Sequence, residues 1–464
     1  MNDEKTVKLV RRLQPYSIAC SGSNEDPFVR AIVNDCVDSE TLDRLSEYTR
    51  GLYSTELHYE SFMFFNRPVK DDNLFSTRVT SHPSFQPALQ QTRDQLSCVR
   101  GTSIIRPDHF DEVSWIPSSA AGFGYVGLKK DNYLLARKNA TRALYGFSKY
   151  RDSYRFVPDK AYARTQLALR ANPKIRHVWG RAFHHILIEG LIGQPLIDKL
   201  MLNDTPIYIG RDIHKDMPYV ILKAIQDGGT CYCIDFSKFD ASACSGLVHI
   251  AWTILHELIV INDHVDRLVF DFCYSLFTNT PVIMPDGKLF IVRSGVPSGS
   301  YFTQLIDSIV NMLMINMLCY TTSVSFPSLK VLGDDSLFVT EVPIAELPEI
   351  GAFFAQFGLT ISDKTVITEN FSEIVFLGHN FYGSRVCRDE FTCLSLALYT
   401  EDPITSAVES VVRISSLLYD CGFNSFVLLN LYKRLLSTHH INWDLEAVRP
   451  ASVHPPFVKL FVLG

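Results

Sequence analysis

The chain has 464 residues, 47% hydrophobic and 12% aromatic, and a formal net charge of −6. That composition excludes a disordered or fibrous protein, and the length exceeds what one compact core needs, so two or three subdomains are expected. The overall acidity would argue against a polyanionic partner if charge were evenly spread, but it is not.

The opening residues, MNDEKTVKLVRRLQ, put no apolar run behind their charges, so no secretory signal is expected. Residues 1–126 mix short helical and loop signals. Residues 127–181 then carry fourteen Lys and Arg against Asp131, Asp152 and Asp159, a local excess of +11 that leaves −17 for the remainder. Aromatic residues are interleaved with the cations, among them Tyr133, Tyr145, Phe147, Tyr150, Tyr154, Phe156, Tyr162 and Trp179. Phosphate neutralisation combined with stacking is how a groove holds single-stranded nucleic acid or nucleotides. A solvated basic face is the plainer alternative, and so large an excess exceeds ordinary surface mixing.

GGTCYCIDFSKFDAS (228–242) gives a buried strand after a Gly-Gly break, ending at Asp235, with Asp240 five residues on. Two amphipathic helices are predicted across 247–278, then a hairpin over 281–292 whose Asp286-Gly287 is a turn signal. The loop Ser294-Gly-Val-Pro-Ser-Gly-Ser300 opens a long helix, about 300–320, on which Thr303, Asp307 and Asn311 share one face. Glycines allow close backbone approach there, and a helix start offers free N–H groups to an anion or sugar hydroxyl. The apolar stretch 305–320 carries Asp307, Asn311 and Asn316 and is too short and polar to span a bilayer, so a soluble intracellular protein without a membrane partner is expected. Beyond it come a hairpin around Gly333-Asp334-Asp335, a helix over 344–357, short strands at 365–368, 374–377 and 379–382, and a mainly helical tail, 384–464. There are no repeats, low-complexity tracts or Gly/Ser linkers, so the domains should be interwoven in an α+β core. The eleven cysteines form no zinc-finger spacing, and Cys231-x-Cys233 reads as reduced core thiols.

Asp334 and Asp335 sit between apolar runs that read as strand, where carboxylates need a cation or protons. If the strand ending at Asp235 lies beside that hairpin, three carboxylates converge. Such hard oxygen donors suit Mg²⁺ or Mn²⁺, and two ions roughly 3.5–4 Å apart would clamp an in-line displacement at phosphorus. A lone GDD is an ordinary turn, and D-x₄-D is ordinary too. Their order changes the reading: D-x₄-D, then SG-x-PSG-x₃-T, then GDD, each at a fitting element.

With DFSKFD, SGVPSGSYFTQLIDSIVN and VLGDDSLF in that order, the chain resembles a viral RNA-dependent RNA polymerase, its motifs A, B and C. The wording PSGSYFTQLIDSIVN is closest to partitiviruses, which have segmented double-stranded RNA, and the length fits their plant cryptic members; the specific resemblance covers about 118–380. It implies a right hand closed by fingertips: fingers over 1–230, palm over 231–246, a fingers insertion over 247–293, palm again over 294–383, and thumb over 384–464. It implies Asp235, Asp334 and Asp335 as ligands of two Mg²⁺ ions, with Mn²⁺ able to substitute, and Lys364 at the motif D position as proton donor to pyrophosphate. The nucleoside triphosphate would meet Lys174 and Arg176 of motif F, Asp240, Ser298, Gly299, Thr303, Asp307 and Asn311. Asp307 stands where positive-strand enzymes usually carry Asn. Template and product RNA would meet Ser119, Gly122, Lys129 and Lys130 of motif G, with Arg164 and Arg170; VFLGHNF (375–381) resembles motif E. The kinship further implies a capsid-protein partner and a place in the host cytoplasm, within the virion. A reverse transcriptase of the same hand-shaped fold is the rival enzyme, against which Asp240 and Gly333 speak; a catalytically silent RNA-binding relative is the other alternative.

Overall fold

Five successive buried residues, Thr230–Ile234, form a strand covered on both faces, which is why the sequence there is apolar without alternation. In a computed structural model, which describes residues 4–442 apart from 19–23, 218–220, 222–228, 325–327 and 383–384, this strand lies inside a four-stranded antiparallel sheet. Asp335–Thr340 flanks it on one side and Val366–Thr368 on the other, with Ser328–Leu332 at the far edge. Ser336 pairs with Ile234, so continuing the register sets Asp335 opposite Asp235. Gly228 of the predicted Gly-Gly break and residues 443–464 of the predicted helical tail lie outside the described residues.

Against this sheet packs the helix Thr303–Thr321, buried without interruption from Leu305 to Cys319. Apolar residues all round a helix mark a core element, and Asn316 is reconciled with burial by donating to Thr92 Oγ1 and Gln95 Oε1, both at 2.9 Å. The predicted helices over 247–278 are Ser245–Leu258 and His264–Thr278.

A second sheet is assembled from distant segments in the order Val7–Arg12, Lys288–Val292, Thr280–Ile283, Asp159–Gln166, Lys174–Gly180. In its last strand Ile175, His177 and Trp179 are buried while Lys174 and Arg176 are exposed, the alternation that sends both cations to one face. Outside lies the helix Lys129–Tyr150, packed on Phe183–Leu202 and His264–Thr278.

The tail helices Glu390–Leu398, Ala407–Asp420 and Phe426–Thr438 share a separate apolar cluster with Val29, Ile32 and Val33 of the helix Pro27–Val33. Asp26 caps that helix by accepting from the Phe28 and Val29 amides, and pairs with Arg413 at 2.6 Å. The first fifty residues thus supply an edge strand to one sheet and a helix to the tail's core. All ten described cysteines are free, and burial pushes the Cys231 and Cys233 thiols up to about 11 and about 12.

Candidate active site

The hairpin turns at Gly333, whose φ of +64° is left-handed and whose absent Cβ would stand 2.9 Å from Gln304 Oε1. The long helix holds this turn by its backbone: Ser308 Oγ accepts from the Gly333 amide at 2.9 Å, and Asn311 Nδ2 donates to the Gly333 and Asp334 carbonyls at 3.0 Å. Asp235 is fixed from the opposite side. Its carbonyl accepts from the Ser362 amide at 2.8 Å and the Thr365 hydroxyl at 3.1 Å, and its carboxylate accepts from the Ser362 hydroxyl. Burial and the neighbouring carboxylates, chiefly Asp240 and then Asp235, push Asp334 up to about 6, with Arg176 opposing. Burial, Asp334 and Asp235 push Asp335 up to about 7, with Lys364 opposing. Asp235, Asp334 and Asp335 therefore form one electrostatic unit at the end of the central strand.

Asp240 follows a left-handed Lys238, φ 55°, that turns the chain into a short helix. The glycine loop is stitched to this turn: Val296 N donates to Asp240 O at 2.7 Å and Gly295 N to Ala243 O at 3.1 Å. On its other flank, Trp179 N donates to Ser298 O at 3.1 Å, and a Cβ at Gly299, φ +131°, would lie 2.0 Å from the Trp179 carbonyl oxygen. Arg176, three residues before Trp179, reaches over the acids and pairs with Asp240 at 2.8 Å. Asp307 is buried beneath, its Oδ1 without a hydrogen-bond partner, and burial followed by Asp240 and Asp334 holds its carboxyl well above the usual range.

The structure thus brings Arg176, Asp235, Asp240, Asp307, Asp334 and Asp335 together. Lys174 shares the exposed face of Arg176's strand. Thr303 is engaged within the loop, donating to Pro297 O at 2.8 Å and accepting from Gly299 N at 3.3 Å. The amide of Asn311 serves the hairpin turn rather than Asp307. Ser119 O accepts from Lys129 N at 2.9 Å, and a Cβ at Gly122 would sit 2.7 Å from Arg181 O. Burial draws the Lys129 ammonium down to about 8, and Lys130 is exposed beside it. Arg164 pairs with Glu401 at 3.0 Å, and Arg170 donates to Ser46 O at 2.8 Å, so both tie outer segments together.

Sequence reading missed a buried charge triad. Arg181 contacts Asp159 at 3.0 Å and Glu189 at 3.2 Å, all three side chains being almost wholly inaccessible. Glu189 also accepts from the Tyr301 amide at 3.0 Å, so the triad anchors the end of the glycine loop. A single acid inside the apolar run HHILIEGLIG was the available signal.

Asp334 and Asp335, whose carboxyls are raised by burial and by neighbouring carboxylates, make with the adjacent Asp235 a hard-oxygen donor group that gains from a divalent cation, so the residues fit Mg²⁺ or Mn²⁺. Among the described residues, ligand atoms of His214, His379 and Asp420 also lie within 4.8 Å of one another. Asp420, however, already meets His379 Nε2 at 2.8 Å and Arg388 at 3.0 Å, an arrangement that reads as a polar knot between the His379–Tyr382 strand and a tail helix. No described helix is long and apolar enough to cross a membrane.

A family model described as viral RNA-dependent RNA polymerase matches residues 34–437. An RNA-directed RNA polymerase of Cryptosporidium parvum virus 1 (strain KSU-1) is 27% identical over 308 residues, covering 61% of this chain and 58% of that protein. A 176-residue segment is 26% identical to the genome polyprotein of Theiler's murine encephalomyelitis virus (strain BeAn 8386), 36% of this chain and 7% of the polyprotein. The chain therefore spans little more than half of the first relative and a small part of the second. The crystal structure of the RNA-dependent RNA polymerase of a human picobirnavirus superposes with a TM-score of 0.65 at 16% identity, over 96% of this chain and 90% of that one, a likeness of fold.

Proposed function

The chain belongs to the viral RNA-dependent RNA polymerase family, and on that premise we propose that it performs template-directed RNA synthesis for a virus with a double-stranded RNA genome, one akin to the partitivirus group. The 3′-hydroxyl of the growing strand, or of a first nucleotide, attacks the α-phosphorus of a nucleoside triphosphate; a P–O bond forms there and pyrophosphate leaves. The observation that carries this reading is the electrostatic unit of Asp235, Asp334 and Asp335 at one strand end, roofed by Arg176 and flanked by the glycine loop.

When bound by those three carboxylates, Mg²⁺ supplies activation of the hydroxyl and neutralisation of the triphosphate. The chain's own residues do the rest. Arg176 exchanges Asp240 for the triphosphate, helped by Lys174, and the freed Asp240 accepts from the ribose hydroxyls. Asp307, whose carboxyl burial and the nearby Asp240 and Asp334 hold well above the usual range, is a further polar contact for that sugar. The loop from Ser298 to Thr303 fixes the sugar's position, and Lys364, felt electrostatically at Asp335, delivers a proton to the departing pyrophosphate. In this reading the hand's fingers, palm and thumb follow the boundaries expected from sequence. Its closure comes from the N-terminal helices lying against the tail, a contact that also accounts for a thumb of modest length. Template RNA enters past Ser119, Gly122, Lys129 and Lys130. On this reading the enzyme works in the host cytoplasm, within the virion and beside capsid protein.

The test is purified protein with a short RNA template and labelled nucleotides, with and without Mg²⁺. Metal-dependent incorporation of NTP in preference to dNTP is expected; RNA binding without incorporation, or indifference to the sugar, would overturn the proposal.

A further inference from the structure

The basic stretch does not all face the acids. Its largest element, the 22-residue helix Lys129–Tyr150, has one buried face, formed by Ala136, Ala140, Ala143, Leu144 and Phe147. At about 100° per residue, Leu134, Lys138, Arg142, Tyr145 and Lys149 form a stripe nearly opposite, with Lys130 at its edge, and all six are exposed. Leu134 and Tyr145 are 79% and 69% accessible, so this face carries large apolar groups in the open among its cations. Among the described residues no carboxylate forms an ion pair with Lys130, Lys138, Arg142 or Lys149, although Arg151 just beyond the helix is paired with Asp271. The helix contains a single acid, Asp131. Unneutralised cations in a row, spaced by groups that can stack, are complementary to a phosphodiester backbone with bases attached.

We propose that this stripe is a second RNA-binding surface, an outer track about 29 Å long that takes single-stranded RNA by its backbone and leads it to the entrance at Lys129 and Lys130. This rests on the polymerase reading for its purpose but not for its measurement. The helix packs on Phe183–Leu202 and His264–Thr278 and buries the face opposite the stripe, so the stripe is left open to solvent.

The experiment compares wild type with Lys138→Glu/Arg142→Glu/Lys149→Glu, and with the neutral Gln triple, for binding a labelled 30-nucleotide single strand and a matched duplex across a salt series. Each lost phosphate contact flattens the log–log salt slope by about 0.7 for a single strand, so the Glu triple should lose about two units of slope and at least tenfold in affinity, with the Gln triple intermediate. Incorporation on a template too short to leave the cleft should be unchanged, which also shows that the fold is intact. An unaltered slope for the single strand, or a loss confined to the duplex, would overturn the track. Asp334→Asn separates the two proposals: it should keep wild-type RNA binding with its full salt slope while losing incorporation.

Discussion

Asp334 and Asp335 are ionisable groups whose neighbours disfavour their charge, and Asp235 contributes to both shifts. Removing one negative charge from such a unit relieves repulsion while taking away a donor oxygen. Asp334→Asn and Asp235→Asn should therefore each lower incorporation by at least a thousandfold, as a roughly 4 kcal/mol loss of barrier lowering implies. Their melting temperatures should match or exceed wild type. Synthesis within tenfold of wild type in either variant under saturating Mg²⁺ would remove these acids from the chemistry. Asp159 gives an independent pH prediction. An unfolded aspartate loses its proton near 3.9, whereas burial holds Asp159's carboxyl up to about 7. The folded chain binds the extra proton in that window, so this residue's contribution to stability is lost as pH rises through about 7. Melting scans from pH 5.5 to 8.5 should show wild type losing ground against Asp159→Asn; a constant difference would contradict the buried-triad account.

Among elements, those most legible in sequence are the ones specified by local pattern. The run TCYCI, the Asp-Gly turn and the apolar helix Thr303–Thr321 each state their period or turn chemistry within a few residues, and each forms close to its predicted bounds. The clamp on the glycine loop is not local. It depends on Trp179 and Glu189, more than a hundred residues upstream, and on close backbone approach that no periodicity encodes. Gly299 is the sharpest point of that clamp, because a side chain there meets both an unfavourable φ and the Trp179 carbonyl. Gly299→Ala should raise the KM for NTP and lower kcat/KM by tenfold or more, with a melting temperature shifted by only a few degrees. Steady-state kinetics at fixed template separates these effects, and an unchanged KM would detach the loop from nucleotide binding.

At the scale of the whole molecule, the family motifs made the acidic centre readable, while the first 126 residues gave no architecture in advance. Their helices are short and take their stability from partners distant in sequence, so local propensity says little about them. Pro27–Val33 illustrates the point: alone it is two turns, yet Val29 and Val33 are fully buried against Leu428, Leu431 and Leu435 of the tail. Asp26 joins the two ends of the chain, capping its own helix while accepting from Ser410 at 2.9 Å and pairing with Arg413. Asp26→Ala leaves Arg413 half-buried without its carboxylate and two helix-start amides without their acceptor. Losses of this kind cost on the order of 3–5 kcal/mol for a buried pair. The damage should be regional, because the central sheet shares no residue with this cluster. Limited trypsin digestion should release fragments cut within 400–440 from the variant many times faster than from wild type, leaving a core that still contains Asp235 and Asp334. Equal cleavage rates would mean that the tail stands without its N-terminal support, and the proposed closure of the hand would then need another contact.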